Sequence, residues 1–136
     1  MSKLVHFSIV AIVAIVTPHL QASAAPAKAK WVYVGSNANF RFYIDTHSLK
    51  KSGDFVWFWT RANRIEFPEP DSNLRIYSTF TYSSTNCRRG VIQFRNTRSY
   101  DRNQKLLPEF SIDFNGATAS VDQNHPVTRY ICRKSS

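Results

Sequence analysis

The strongest constraint on this chain is the run Phe55-Val56-Trp57-Phe58-Trp59-Thr60, whose large apolar side chains fall on both odd and even positions. Successive side chains of a strand point to opposite faces. A strand apolar on both sides belongs in the middle of a sheet, or under cover on both faces. The neighbouring segments read as further strands. Trp31-Val32-Tyr33-Val34 is aromatic and β-branched. Phe40, Phe42 and Ile44 alternate with Arg41, Tyr43 and Asp45, which puts Asp45 on a solvent-facing side. Leu74, Ile76, Phe80 and Tyr82 share one face of another strand, with Arg75, Tyr77, Thr79 and Thr81 on the other. Cys87 to Tyr100 reads as one longer strand with a bulge near Gly90. Phe110, Ile112 and Phe114 alternate with Ser111 and Asp113, giving a last strand before Asn115-Gly116.

The connectors carry turn chemistry. Gly35 to Asn39 is a turn, and Thr46 and Ser48 are placed to cap a single helical turn before the Gly53-Asp54 corner. Arg61 to Asn73 is expected to be an exposed loop, because Pro68-Glu69-Pro70 cannot sit in a central strand. Near the end, Asn124 or His125 can cap a helix that opens with Pro126. Val127, Tyr130 and Ile131 then share one helical face.

Met1-Ser2-Lys3, an apolar run from Leu4 to Val16, and Ala22-Ser23-Ala24 read as a secretory signal peptide over residues 1–24, cleaved after Ala24. The apolar run is short of the roughly twenty residues that cross a bilayer, so no span is expected after cleavage. Residues 25–30 read as a flexible tether and residues 31–136 as one β-rich domain. An exported product is expected, periplasmic or extracellular.

Cys87 and Cys132 are the only cysteines, and an oxidising compartment favours their pairing. The alternative, a metal site or catalytic thiol, lacks a nearby histidine pair. The chain carries a formal charge of +9, or +8 once Lys3 leaves with the leader. Such a charge attracts anionic lipid headgroups, acidic glycans, acidic proteins or nucleic acid. Arg88, Arg89, Arg95 and Arg98 form the best candidate anionic-ligand patch. On a regular strand Arg89 and Arg95 would share one side and Arg88 and Arg98 the other. Tyr43, Tyr77 and Tyr100 lie near Arg41, Arg75, Arg98 and Arg102, an interleaving suited to stacking and anion pairing.

In order and spacing, Trp31-Val32-Tyr33-Val34, Phe42-Tyr43-Ile44-Asp45, the turn from Ser48 to Asp54, Val56-Trp57-Phe58-Trp59, Cys87 and Cys132 resemble the surface-adhesin protein E family of small exported bacterial domains. The likeness spans roughly residues 31 to 133. It implies an α+β fold: a single antiparallel sheet of about five to six strands with a short C-terminal helix packed on it and the two cysteines bonded. It also implies binding of surface or matrix proteins. No cysteine follows the apolar leader to take a lipid, and the opening Pro-Gly-Ser expected before the family's helix is missing.

Enzymatic readings find little support. His47 and His125 would be the acid and base of a secreted nuclease, yet each sits in a polar connector. Glu66, Glu69 and Asp71 flank the proline loop, and no Gly-x-Ser-x-Gly elbow or phosphate-cradling loop occurs. No cofactor or metal is expected. The favoured reading is a non-enzymatic, adhesin-like domain recognising a surface protein or an acidic polymer. The alternative is a periplasmic accessory or inhibitor protein, although a basic target such as lysozyme would be repelled. An unpaired edge strand would allow a homodimer.

Overall fold

The computed structural model describes residues 28–65 and 75–134. The leader, its cleavage point, the start of the tether, the proline loop and Leu74 lie outside the described residues. The elements in chain order are β1 (Trp31–Ser36), β2 (Phe40–Asp45), β3 (Lys50–Ser52), β4 (Phe55–Arg64), β5 (Ser78–Asn86), β6 (Val91–Tyr100), β7 (Ile112–Asp113), β8 (Thr118–Ser120) and α1 (Pro126–Lys134). A 3₁₀ turn covers Pro108–Phe110.

The doubly apolar run does occupy the middle. β4 pairs with β5 along one edge, and with β3 and then β2 along the other. β1 lies outside β2, β6 outside β5, and β7 and β8 share the far edge of β6. All pairings are antiparallel, so eight strands occupy six positions. The expectation of five to six strands undercounts because two ribbons are interrupted. The turn at 46–49 divides β2 from β3, and the Asn115-Gly116 turn divides β7 from β8.

Three local expectations are corrected. β4 runs on to Arg64, so the loop expected from Arg61 begins later; residues Arg61 to Asn63 stay paired to both β2 and β5, and Arg64 to β2. Residues 87–90 are a turn, closed by Gly90 N–H donating to Asn86 O at 2.9 Å, with Gly90 at φ +64°. The bulge falls instead between Phe94 and Asn96, which lie opposite Ser83 and Tyr82, leaving Arg95 as the extra residue. The segment Phe110–Phe114 contributes only two strand residues, because Phe110 belongs to the 3₁₀ turn that Pro108 opens.

Register defines two faces. Val56, Phe58, Thr60 and Ala62 point with Phe42 and Ile44 towards α1, while Trp57, Trp59 and Arg61 point away with Tyr43. The inner face packs Phe42, Ile44, Val56 and Phe58 against Val127 and Ile131 of α1. His125 caps the helix: Val127 N–H donates to His125 Nδ1 at 3.3 Å, with Pro126 in the first helical position. Arg133 and Lys134 in the last turn suit the negative end of the helix dipole. Cys87 and Cys132 form a disulfide with their Cα atoms 5.6 Å apart, fastening α1 to the β5–β6 turn.

Candidate functional site

The face turned away from α1, here the outer face, holds most of the sheet's aromatic side chains. Tyr82 lies opposite Trp59 and stacks on it with ring centroids 5.2 Å apart, and Trp57 packs diagonally on the same ring at 5.4 Å. Phe80 meets Trp31 edge-on at 5.5 Å and Tyr100 at 5.4 Å. Tyr33 and Tyr43, directly paired across β1 and β2, meet edge-on at 5.7 Å. These contacts follow from the register, since directly opposed residues share a face.

Arginines are threaded through this array. The Arg61 guanidinium lies 4.5 Å from the Tyr43 ring centroid and 4.9 Å from that of Trp31. Burial between the rings lowers its pKa from the ordinary arginine value, and the charge interaction with Tyr43 opposes that shift. Arg95 lies 5.1 Å over the Trp57 ring. Arg98, beside Phe80 across the ladder, bonds Asp113 Oδ1 at 3.1 Å.

The same face concentrates unsatisfied polarity. Among the described residues, five buried side-chain atoms have no hydrogen-bond partner: Asp45 Oδ2, Arg61 Nε, Asn63 Oδ1, Ser84 Oγ and Asn96 Oδ1. By register all five belong to residues of the outer face. Unpaired buried polar atoms are few in a folded domain, so their collection on one face is a feature in itself.

The four arginines of the sequence patch divide into two groups. Arg88 and Arg89 are exposed in the β5–β6 turn, where Arg88 reaches Asp54 at 3.9 Å. Arg95 and Arg98 lie together on the outer face, because the bulge at Arg95 changes the parity of β6. The expected pairings of Arg89 with Arg95 and of Arg88 with Arg98 are therefore replaced. Arg75 is tied to Glu109 at 2.6 Å.

Asp45 is on the outer face but not in solvent: its side chain is 0 % exposed. Its Oδ1 accepts from the N–H groups of Lys30 at 2.8 Å and His47 at 3.0 Å, which locks the start of β1 to the turn after β2. Ser48 continues the lock, its Oγ donating to Asp45 O at 2.7 Å and accepting from Trp59 N–H at 2.9 Å. His47 is exposed and bonds the Lys28 carbonyl, whereas His125 packs on Phe42 at 4.5 Å on the inner side. His125 also borders an inner cavity of about 300 Å³ with Phe42, Thr81, Ser83, Phe94 and Thr128. Among the described residues no three His, Cys, Asp or Glu side chains converge on a metal position, and no helix is long and apolar enough to cross a membrane.

Comparison with known proteins decides the family. The family model of surface-adhesin protein E matches residues 31–106, from the start of β1 to the residue before Leu107. The chain belongs to the surface-adhesin protein E family. Membership makes it an exported, adhesin-like surface protein. The family match includes Cys87 but ends before α1 and Cys132, so it is shorter than the resemblance over residues 31 to 133. The structure of crystal form II of Haemophilus influenzae protein E is similar in fold, at 18% identity and a TM-score of 0.50, over 82% of this chain and 94% of that one. Two more structures of Haemophilus influenzae protein E match at 19% and 20% identity, with TM-scores of 0.48 and 0.49. They cover 82% and 81% of this chain, and 91% and 92% of theirs. No curated protein sequence matches the chain.

The sequence reading missed Arg61, Trp57 and Tyr82 as parts of this face. A signal for two of them was present: Trp57, Trp59 and Arg61 are spaced by two along one strand. Tyr82 joins them only through the β4–β5 register.

Proposed function

We propose that this domain is a non-catalytic binding module that recognises a surface or matrix protein, or an acidic polymer, with the outer face of its sheet. The observation that carries the reading is the gathering of stacked aromatics with Arg61, Arg95 and Arg98 on that one face. Aromatic and arginine side chains are the residue types that dominate binding energy at interfaces. The net positive charge adds long-range attraction to acidic partners. Arg88 and Arg89 extend the positive field at the turn end of the sheet. The leader over residues 1–24 would deliver the domain, and β1, an outer strand of the sheet, is the edge a homodimer would extend.

The test is replacement of Arg88, Arg89, Arg95 and Arg98 together by glutamine. Attachment to matrix-coated surfaces and capture of acidic polymers should both fall, while thermal unfolding is unchanged. Wild-type capture of acidic polymers should also weaken steeply with salt. Attachment and capture that ignore the four substitutions would overturn the reading.

A further inference from the structure

Resting on the outer face as the binding face, we infer that the cleft between Lys50 and Arg95 is a subsite for an acidic sugar of a carboxylated or sulfated polysaccharide. The cleft encloses about 460 Å³ and is lined by Lys50, Ser52, Trp57, Tyr82, Arg95 and Asn96. Its shape comes from the register. Lys50 lies opposite Trp57, Trp57 opposite Ser84, and Ser84 opposite Gln93. The bulge that singles out Arg95 brings its guanidinium over the Trp57 ring, which closes the cleft on the side away from Lys50.

The lining matches a sugar acid in three respects. Lys50 and Arg95 are exposed on the strands flanking β4 and β5, and no carboxylate among the described residues forms an ion pair with either. Stacking on the indole leaves the guanidinium edge free to donate two parallel hydrogen bonds to a carboxylate or sulfate. Trp57 and Tyr82 offer apolar ring surface against which the C–H side of a pyranose loses water. Ser52 and Asn96 add a hydroxyl and an amide to the lining. A ligand rich in hydroxyls uses this polar capacity together with the two cations.

The test compares binding of a fluorescent heparin hexasaccharide, a polyglutamate of similar charge and a neutral dextran by the exported protein, at about 0.15 M salt. Lys50→Gln with Arg95→Gln should weaken hexasaccharide binding about tenfold or more. Arg129→Gln with Arg133→Gln, which removes the same charge from α1, should weaken it less than about threefold. Lys50→Gln alone, which leaves the Arg95–Trp57 stack in place, should still lose about threefold. Equal losses from the two double variants would overturn the cleft in favour of a diffuse field. Polyglutamate bound as tightly as the hexasaccharide would overturn the sugar class. Absence of hexasaccharide binding would overturn the subsite. The broader reading would still stand if the four-arginine variant lost surface attachment in the same preparations.

Discussion

Gly35 and Pro126 touch where the edge of the sheet meets the start of the helix: a Cβ on Gly35 would lie 2.7 Å from the Pro126 Cβ. Gly35 has φ +147°, a conformation that side chains disfavour, and it sits where the β1–β2 register shifts. The same glycine therefore allows the bulge and admits α1 against the inner face. The seating of the helix covers Phe42 and Ile44 and brings Cys132 to Cys87.

Gly35→Ala should then destabilise the domain by about 1–3 kcal/mol, combining backbone strain with overpacking against Pro126. Urea unfolding measures it. A loss below a few tenths of a kcal/mol would mean that the helix start shifts freely and that the close approach is unimportant.

The disulfide closes a long loop, with 45 residues of sequence separation. Replacing Cys87 and Cys132 together by serine should cost about 4 kcal/mol by the loop-entropy estimate, and α1 should become the first element to exchange its amide hydrogens. Hydrogen exchange followed residue by residue distinguishes this from uniform loosening.

Much of the architecture was legible because it rests on period-two patterning. The central place of Phe55–Thr60, the alternation of Phe40–Asp45 and the Pro126 helix start are all local signals. The outer face was not legible, because its assembly depends on which residues pair across strands. Nothing near Tyr82 in sequence indicates that it lies opposite Trp59. Arg95 and Arg98 share a face only through a bulge whose position was misplaced to Gly90. Asp45 was misread for a related reason: alternation gives the face of a residue but not what else covers that face.

Arg61 illustrates the packing role of a charged side chain. Its stem and guanidinium fill the space between Trp31 and Tyr43. Arg61→Ala should lower stability by about 1–2 kcal/mol, with little dependence on salt because the charge acts on rings rather than on a carboxylate. Arg61→Met, which keeps the stem, should recover part of the loss. Full recovery would show that volume alone matters.

Asp113 competes for Arg98 on the binding face, at 3.1 Å. The carboxylate is well exposed, so the pair contributes little to stability. Asp113→Asn should leave thermal unfolding almost unchanged and strengthen capture of acidic polymers by roughly twofold to fivefold. Weaker capture would indicate that Asp113 holds Arg98 in its binding orientation.

His125 makes the inner face sensitive to acid. Burial against Phe42 lowers its pKa from the ordinary histidine value, and Asp122 partly opposes the shift. As the cap of α1 it accepts from Val127 N–H through Nδ1, which requires that nitrogen to be unprotonated. The unfolded chain takes up this proton near pH 6.5, above the folded-state value. The contribution to stability is thus complete above about pH 6.5 and is lost as pH falls through the lowered folded pKa. His125→Asn retains a capping acceptor without the titration, so its unfolding free energy should decline less between about pH 7 and pH 5 than that of the wild type. Parallel pH profiles for the two proteins would assign the acid sensitivity to other groups and leave His125 only its packing role.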